Sequence, residues 1–135
     1  MSLFSARMSV VARAALGAGL LGASLFAHAL DVKPFSAEAL AAAQQAGKPV
    51  AVHFHANWCP TCRKQEAAFN SLKADKTLDD VTLLVANYDT ERDLRRTLNV
   101  RSQSTVVVFK GAQERTRVAG ETDTAKLATA LRSAL

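Results

Sequence analysis

The most restrictive feature of the sequence is a pair of cysteines, Cys59 and Cys62, that lies between an apolar run and a helical pattern. The run "KPVAVHFHA" is rich in β-branched residues that alternate only loosely with polar ones, which is typical of a strand covered on both faces. After the first cysteine, "PTCRKQEAAFNSLKAD" places apolar residues at a helical period with charged residues between them. The pair therefore lies where a buried strand passes directly into a helix.

The segments around this unit predict one α/β domain, since 135 residues allow a single domain of ordinary size. Upstream, "SAEALAAAQQAG" predicts a helix at about Ser36 to Ala46, with Ser36 as its N-cap and Gly47 where it stops. The preceding "DVKPF" is interpreted as a linker.

Downstream, "DDVTLLVANYD" predicts a strand and "TERDLRRTLNV" a short helix capped by Thr90. Two strands joined by a turn at Gly111 follow in "STVVVFKGAQERTRVAG", and "ETDTAKLATALRSAL" predicts a final amphipathic helix. This order combines a parallel crossover with a terminal hairpin, so we expect a central mixed β-sheet with helices on both faces.

The N-terminus has the pattern of a secretory signal peptide. Arg7 and Arg13 precede the apolar stretch "AALGAGLLGASLFAHA", which ends in the small-x-small triplet Ala27-His28-Ala29. The apolar core is well short of the roughly 20 residues that a membrane-spanning helix needs. We therefore predict a signal peptide over residues 1–29, a mature domain over residues 30–135, and export to a bacterial periplasm, since no acidic residue precedes Asp31.

The charge of the chain does not indicate nucleic acid as a partner. The formal charge of +5 includes two arginines of the predicted signal, and its removal leaves fifteen basic against twelve acidic residues, or +3. The densest basic stretch is "RDLRR", Arg92 to Arg96, which has acidic residues beside it. This pattern predicts a solvated helix face with ion pairs.

The cysteine pair has the position that favours a reactive thiol. The free N–H groups and positive dipole end at the start of a helix stabilise a thiolate, so we expect the pKa of Cys59 to fall below about 8.5 and Cys59 to be the nucleophile. Pro60 suits the first helical turn and stiffens the loop, and Cys62, one turn further, suits a resolving thiol. Trp58 is expected to cover the pair partly.

Two other uses of the pair are compatible with these residues. Thiolates and imidazole suit a soft ion such as Cu(I), so Cys59, Cys62 and His55 are an alternative metal-binding or metal-delivery set. In an oxidising compartment the pair could also be a fixed disulfide in an interaction domain without activity.

The stretch "ANWCPTC", followed by "NVRSQSTVVVFKG", resembles the thioredoxin family, whose strand, W-C-x-x-C helix and later strand ending in F-x-G occur in the same order. The resemblance extends from Val50 to Leu135. It implies the thioredoxin fold and thiol–disulfide exchange with protein thiols or disulfides, with Cys59 as nucleophile and Cys62 as resolving cysteine. The exported setting suggests a periplasmic thioredoxin-like protein with a membrane thiol-transfer protein as partner.

Two positions depart from the pattern of the family. Members usually carry a cis-proline where this chain has Ser104, so we expect a trans or strained peptide at Gln103–Ser104 and a hydroxyl that faces the sulfurs. His53 falls where thioredoxins often have a buried acid, and its imidazole could move the proton of Cys62. The alternative is a histidine that packs in the sheet and bonds to the backbone; His55 shares its face.

The pattern predicts an exported thiol–disulfide oxidoreductase that leans towards a periplasmic reductant, needs no cofactor and does not bind nucleic acid. The dipeptide Pro60-Thr61 between the cysteines tunes the reduction potential without choosing a direction. The candidate site residues are Trp58, Cys59, Pro60, Thr61, Cys62, His53 and Ser104.

Overall fold

The computed structural model describes residues 29–135, so the prediction of a signal peptide falls almost entirely outside the described residues. Within 29–135 no helix has the length and apolar character needed to cross a membrane. These residues form five strands, four α-helices and one turn of 3₁₀ helix: β1 (Asp31–Pro34), α1 (Ala37–Gln45), β2 (Pro49–His55), α2 (Pro60–Leu72), the 3₁₀ turn (Lys76–Leu78), β3 (Thr82–Asn87), α3 (Arg92–Thr97), β4 (Thr105–Lys110), β5 (Gln113–Ala119) and α4 (Thr124–Arg132).

The five strands form one mixed sheet in the order β1-β3-β2-β4-β5. The central strand β2 is parallel to β3 and antiparallel to β4, and the β4–β5 pair is an antiparallel hairpin. Gly111 lies in the hairpin turn with φ +57°. The predicted mixed α/β sheet is therefore confirmed.

Helices cover both faces of the sheet, as the loose alternation of β2 predicted. Ala51 faces the cluster that α2 and α4 form on one side. Val50, Val52 and Phe54 face α1 and α3 on the other side. Because successive side chains of a strand point to opposite faces, these residues are all buried and β2 is fixed from both sides.

The interpretation of "DVKPF" as a linker is wrong. Residues 31–34 form the edge strand β1, which runs parallel to β3 from the pair Asp31–Thr82 to the pair Pro34–Val85. A four-residue strand has too little periodicity to be recognised alone, and its partner lies about fifty residues later in the chain. Pro34 is tolerated because it lies at the end of an edge strand.

Of the two helix N-caps predicted from the sequence, the one of α1 is confirmed and the one of α3 is wrong. Ser36 caps α1, since its Oγ accepts the backbone N–H of Ala39 at 3.0 Å. The N-cap of α3 is Glu91 rather than Thr90, and no side chain bonds to the free N–H groups there. The turn before α3 is instead closed by Asn87, whose Oδ1 accepts the N–H of Asp89 at 2.9 Å.

Candidate active site

The cysteine pair lies at the start of α2, beyond the C-terminal end of the central strand. Cys59 is the N-cap residue of this helix, with extended backbone at φ −90° and ψ 113°, and Pro60 is in the first helical turn. The Sγ of Cys59 accepts the backbone N–H of Cys62 at 3.2 Å. Both residues are free thiols and buried. The predicted transition from strand to helix is therefore present, and it brings the Sγ of Cys59 within hydrogen-bond distance of a free N–H group at the start of α2.

The pKa values of the two thiols are shifted in opposite directions. Burial acts to raise the pKa of Cys59, but hydrogen bonds from the Cys62 thiol, the Ser104 hydroxyl and the backbone N–H groups of Cys62 and Thr61 outweigh it, so the pKa lies below its ordinary value. Burial and the hydrogen bond to Cys59 raise the pKa of Cys62. A low-pKa thiolate beside a protonated thiol is the arrangement that a nucleophile and a resolving cysteine need.

Ser104 supplies a hydroxyl that contacts both sulfurs. Its Oγ is 3.2 Å from the Sγ of Cys59 and 3.0 Å from the Sγ of Cys62. Residues 29–135 contain no cis peptide bond, and Ser104 itself adopts the left-handed region with φ +62°. For a residue with a Cβ this conformation costs about 1–2 kcal/mol. The surroundings must therefore hold this residue in place.

One buried side chain, Gln65, holds the Ser104 loop. Its Nε2 donates to the carbonyl oxygen of Ser104 at 2.9 Å and to that of Glu121 at 2.8 Å. Its Oε1 is 2.9 Å from Nε2 of His53. Because both amide protons go to carbonyls, Oε1 is the acceptor and the imidazole nitrogen is the donor.

Gln65 is a site residue that the sequence reasoning missed. It is 0% exposed. The signal that indicates it is a polar residue on the buried stripe of α2, three residues after Cys62 and four before Phe69.

His53 is buried under the site and bonds to a side chain rather than to the backbone. Burial is the main reason that its pKa falls from 6.5 to about 4; the hydrogen bond with Gln65 opposes the shift, and the charge of His55 adds to it. The imidazole is therefore neutral near pH 7. The hydrogen-bonded contact of His53 with the cysteine site runs through the Gln65 amide, and the described residues show no direct hydrogen bond from His53 to either sulfur. A role of His53 in moving the proton of Cys62 stays a prediction.

Trp58 lies on the surface of the site. Its side chain is 58% exposed, and its Nε1–H donates to Oδ2 of Asp89 at 2.9 Å. The residue that packs against the buried cluster of Ala56, Cys59 and Cys62 is Tyr88, which the sequence pattern did not indicate. Trp58 therefore covers the pair less than predicted, and more than half of its surface is exposed to solvent.

His55 lies in a cavity of about 310 Å³ between α2 and the sheet. Its ring makes an edge-on contact with His53, with centroids 5.5 Å apart, and its Nε2 is 3.5 Å from Oε2 of Glu66. Within residues 29–135 no group of three or more His, Cys, Asp and Glu side chains is arranged to hold a metal ion. Cys59, Cys62 and His55, the residues of the copper alternative, therefore do not form such a group within residues 29–135.

A mixed five-stranded sheet with helices on both faces and a buried dithiol at the start of α2 is the architecture of a thioredoxin-like domain. The Thioredoxin family model matches residues 31–133, and the chain belongs to this family.

Curated relatives include the chloroplastic M-type thioredoxin of Zea mays, 32% identical over 60% of this chain and 48% of that one. A thioredoxin of Mycobacterium tuberculosis is 30% identical over 54% of this chain and 62% of that one. The chain thus spans about half the length of the curated relatives it matches. Among solved structures, Trxlp from Edwardsiella tarda is similar with a TM-score of 0.71 and 35% identity, covering 75% of this chain and 98% of that one.

Proposed function

We propose that the mature protein is an exported reductant that transfers two electrons from Cys59 and Cys62 to disulfides of other proteins. The observation that carries the proposal is the asymmetric pair, in which Cys59 has its pKa lowered at the N-terminus of α2 and Cys62 has its pKa raised beneath it. The basic and apolar N-terminus supports export to a periplasm. The resemblance to periplasmic thioredoxin-like proteins supports the reducing direction and a membrane thiol-transfer protein as electron donor.

The reaction proceeds in two displacements, the first by Cys59 and the second by Cys62. The Cys59 thiolate attacks one sulfur of the substrate disulfide, forms a mixed disulfide and releases the other substrate sulfur as a thiolate. Cys62 then loses its proton and attacks the Sγ of Cys59, which releases the second substrate thiolate and leaves a Cys59–Cys62 disulfide. Two electrons reach the substrate, and the released thiolates take up two protons.

Ser104 is the group placed to move the proton of Cys62. Its Oγ is within hydrogen-bond distance of both sulfurs. In the second displacement it can therefore accept the proton of Cys62 while its own proton goes to the substrate sulfur that leaves Cys59. The Gln65 amide fixes the loop that carries this hydroxyl.

The reduction potential tests the direction of the reaction. The mature protein is equilibrated in a glutathione series, its trapped thiols are counted by mass spectrometry, and its reduction of insulin disulfides is followed with Cys59→Ser as the inactive control. A potential near the thioredoxin value of about −270 mV supports the reductant, whereas one near −120 mV makes the protein a disulfide donor and contradicts the proposal.

Export has its own test. The full chain is expressed in a bacterium, and the mass of the protein in the periplasmic fraction is measured. We expect a chain that begins at Leu30; an uncleaved chain confined to the cytoplasm contradicts export.

Replacing Ser104 by alanine is expected to raise the pKa of Cys59, because the hydroxyl hydrogen bond that lowers it is lost. Loss of the proton path should also slow release of the substrate from the mixed disulfide by about 100-fold. The reduction potential should become more negative, since the hydroxyl stabilises the dithiol form. The measurements are the pH dependence of Cys59 alkylation and stopped-flow kinetics of exchange.

Ser102→Ala is the matched control, since Ser102 is exposed and its Oγ is 3.3 Å from Oγ1 of Thr105 rather than near a sulfur. An unchanged alkylation profile in Ser104→Ala would remove Ser104 from the mechanism.

A further inference from the structure

A concave surface lined by four arginines adjoins the cysteine site. We call it the arginine pocket; it has a volume of about 480 Å³ and is formed by Arg92, Arg95, Arg96, Asn99, Val100 and Arg101. Tyr88 connects it to the reactive sulfurs, because this ring packs against the cysteine cluster and the Arg95 guanidinium lies 4.0 Å from its centroid. The Tyr88 hydroxyl also donates to the carbonyl of Arg101 at 3.1 Å.

The pocket has a surplus of positive charge. Arg96 pairs with Asp93, but the described residues offer no carboxylate within ion-pair distance of Arg92, Arg95 or Arg101. The Nε of Arg95 is buried without a hydrogen-bond partner in the same part of the chain. Of the ion pairs predicted for this helix face, the described residues form only the one between Arg96 and Asp93. Three guanidinium groups therefore remain available to an anionic ligand.

The backbone holds these arginines together. Asn99, with φ +53°, reverses the chain after α3, and the N–H of Val100 closes the turn on the carbonyl of Arg95 at 2.8 Å. Arg117 of β5 donates to the carbonyl of Leu98 at 2.7 Å and to that of Asn99 at 3.2 Å. The turn therefore brings Arg101 back beside Arg95, and the arginine pocket exists before a ligand binds.

We propose that the arginine pocket binds carboxylate side chains of an acidic segment in the protein whose disulfide Cys59 attacks. Guanidinium groups match carboxylates in a bidentate geometry, which gives orientation as well as attraction. The position next to Tyr88 lets one partner reach the pocket and the sulfurs together. This inference rests on the proposed function, and it adds a preference for acidic partners that the cysteine pair alone does not supply.

The binding test does not depend on redox activity. A cysteine-free peptide rich in Glu is titrated into the reduced mature protein, and nuclear magnetic resonance follows the backbone amides of residues 92–101 and the arginine Nε–H signals. We expect shifts confined to the arginine pocket that disappear in high salt, because salt screens exposed charges. Shifts of equal size with a Lys-rich peptide, or with inorganic phosphate at the same concentration, would overturn a site for protein carboxylates.

The kinetic test compares two disulfide peptides with the same sequence around the disulfide, one flanked by Glu and the other by Lys. The ratio of their second-order rate constants should favour the Glu peptide and fall by about 3- to 10-fold in Arg92→Gln/Arg101→Gln, since surface charges act mainly on association. The control, Lys48→Gln/Lys110→Gln, removes two exposed positive charges near the opposite end of β2 and should keep the ratio.

The outcomes separate the two proposals. Equal rates for both peptides with no shifts at residues 92–101 contradict the docking surface and leave the reductase intact. Failure to reduce either peptide contradicts the proposed function, while the titration still reports on the arginine pocket.

Discussion

Replacing Gln65 by leucine is expected to destabilise the folded domain by about 2–4 kcal/mol, because a buried donor or acceptor left without a partner costs about 1–3 kcal/mol. The substitution removes the acceptor of His53 Nε2 and the donors to the carbonyls of Ser104 and Glu121. The Ser104 carbonyl keeps the N–H of Gly120 at 3.0 Å, which limits the loss there. The measurement is urea unfolding at pH 7 under reducing conditions.

The same variant should also affect the cysteines. Without the Gln65 amide the strained Ser104 relaxes, so its hydroxyl leaves the sulfurs and the pKa of Cys59 rises. Gln45→Leu, the same change at an exposed position of α1, should alter stability by no more than about 0.5 kcal/mol. A loss below 1 kcal/mol in Gln65→Leu would mean that the loop is held by other contacts.

The second large expected effect is a loss of stability on acidification, which is caused by protonation of His53 in the unfolded chain. Its pKa is about 4 in the folded protein against an ordinary 6.5, so between these values the unfolded chain binds the proton that the folded chain refuses. The contribution of His53 to the free energy of unfolding is therefore fully present above pH 6.5 and is lost as the pH falls towards 4. A shift of this size corresponds to about 3 kcal/mol.

The check is the free energy of unfolding of the wild type and of His53→Leu at pH 7, 6, 5 and 4. The variant loses stability at every pH because Gln65 Oε1 is left without its donor, but its profile should be flatter by about 3 kcal/mol over this window. His55 and the carboxylates are common to both proteins, so the difference between the two profiles isolates His53. Parallel profiles would show that His53 does not titrate on unfolding.

The parts of this domain that were predictable from sequence are the parts that depend on neighbours in the chain. The β-branched run before Trp58 and the helical period after Cys59 are local patterns, and both elements lie where they were expected. β1 was not predictable, because a four-residue edge strand becomes a strand only through its pairing with β3.

The candidate site shows the same division. The positions of Cys59 and Cys62 at the start of α2 follow from local order. The hydrogen bonds of Gln65 join α2 to two loops that lie 39 and 56 residues further along the chain. The arginine pocket depends on the reversal at Asn99, which the helical period of "RDLRR" does not indicate. Contacts between distant segments therefore account for what the pattern missed.

Both edge strands of the sheet, β1 and β5, are protected against pairing with strands of other proteins. Chains whose disulfides are still being exchanged expose unpaired strands, and an open sheet edge is a template for them. Here β1 is four residues long and ends in Pro34, while β5 carries Glu114, Arg115 and Arg117. Short length, proline and charge are the devices by which proteins prevent strand addition. Both edges of the sheet therefore disfavour pairing with a strand of another chain, and the end of the sheet that carries Cys59 stays open to a partner that does not add a strand.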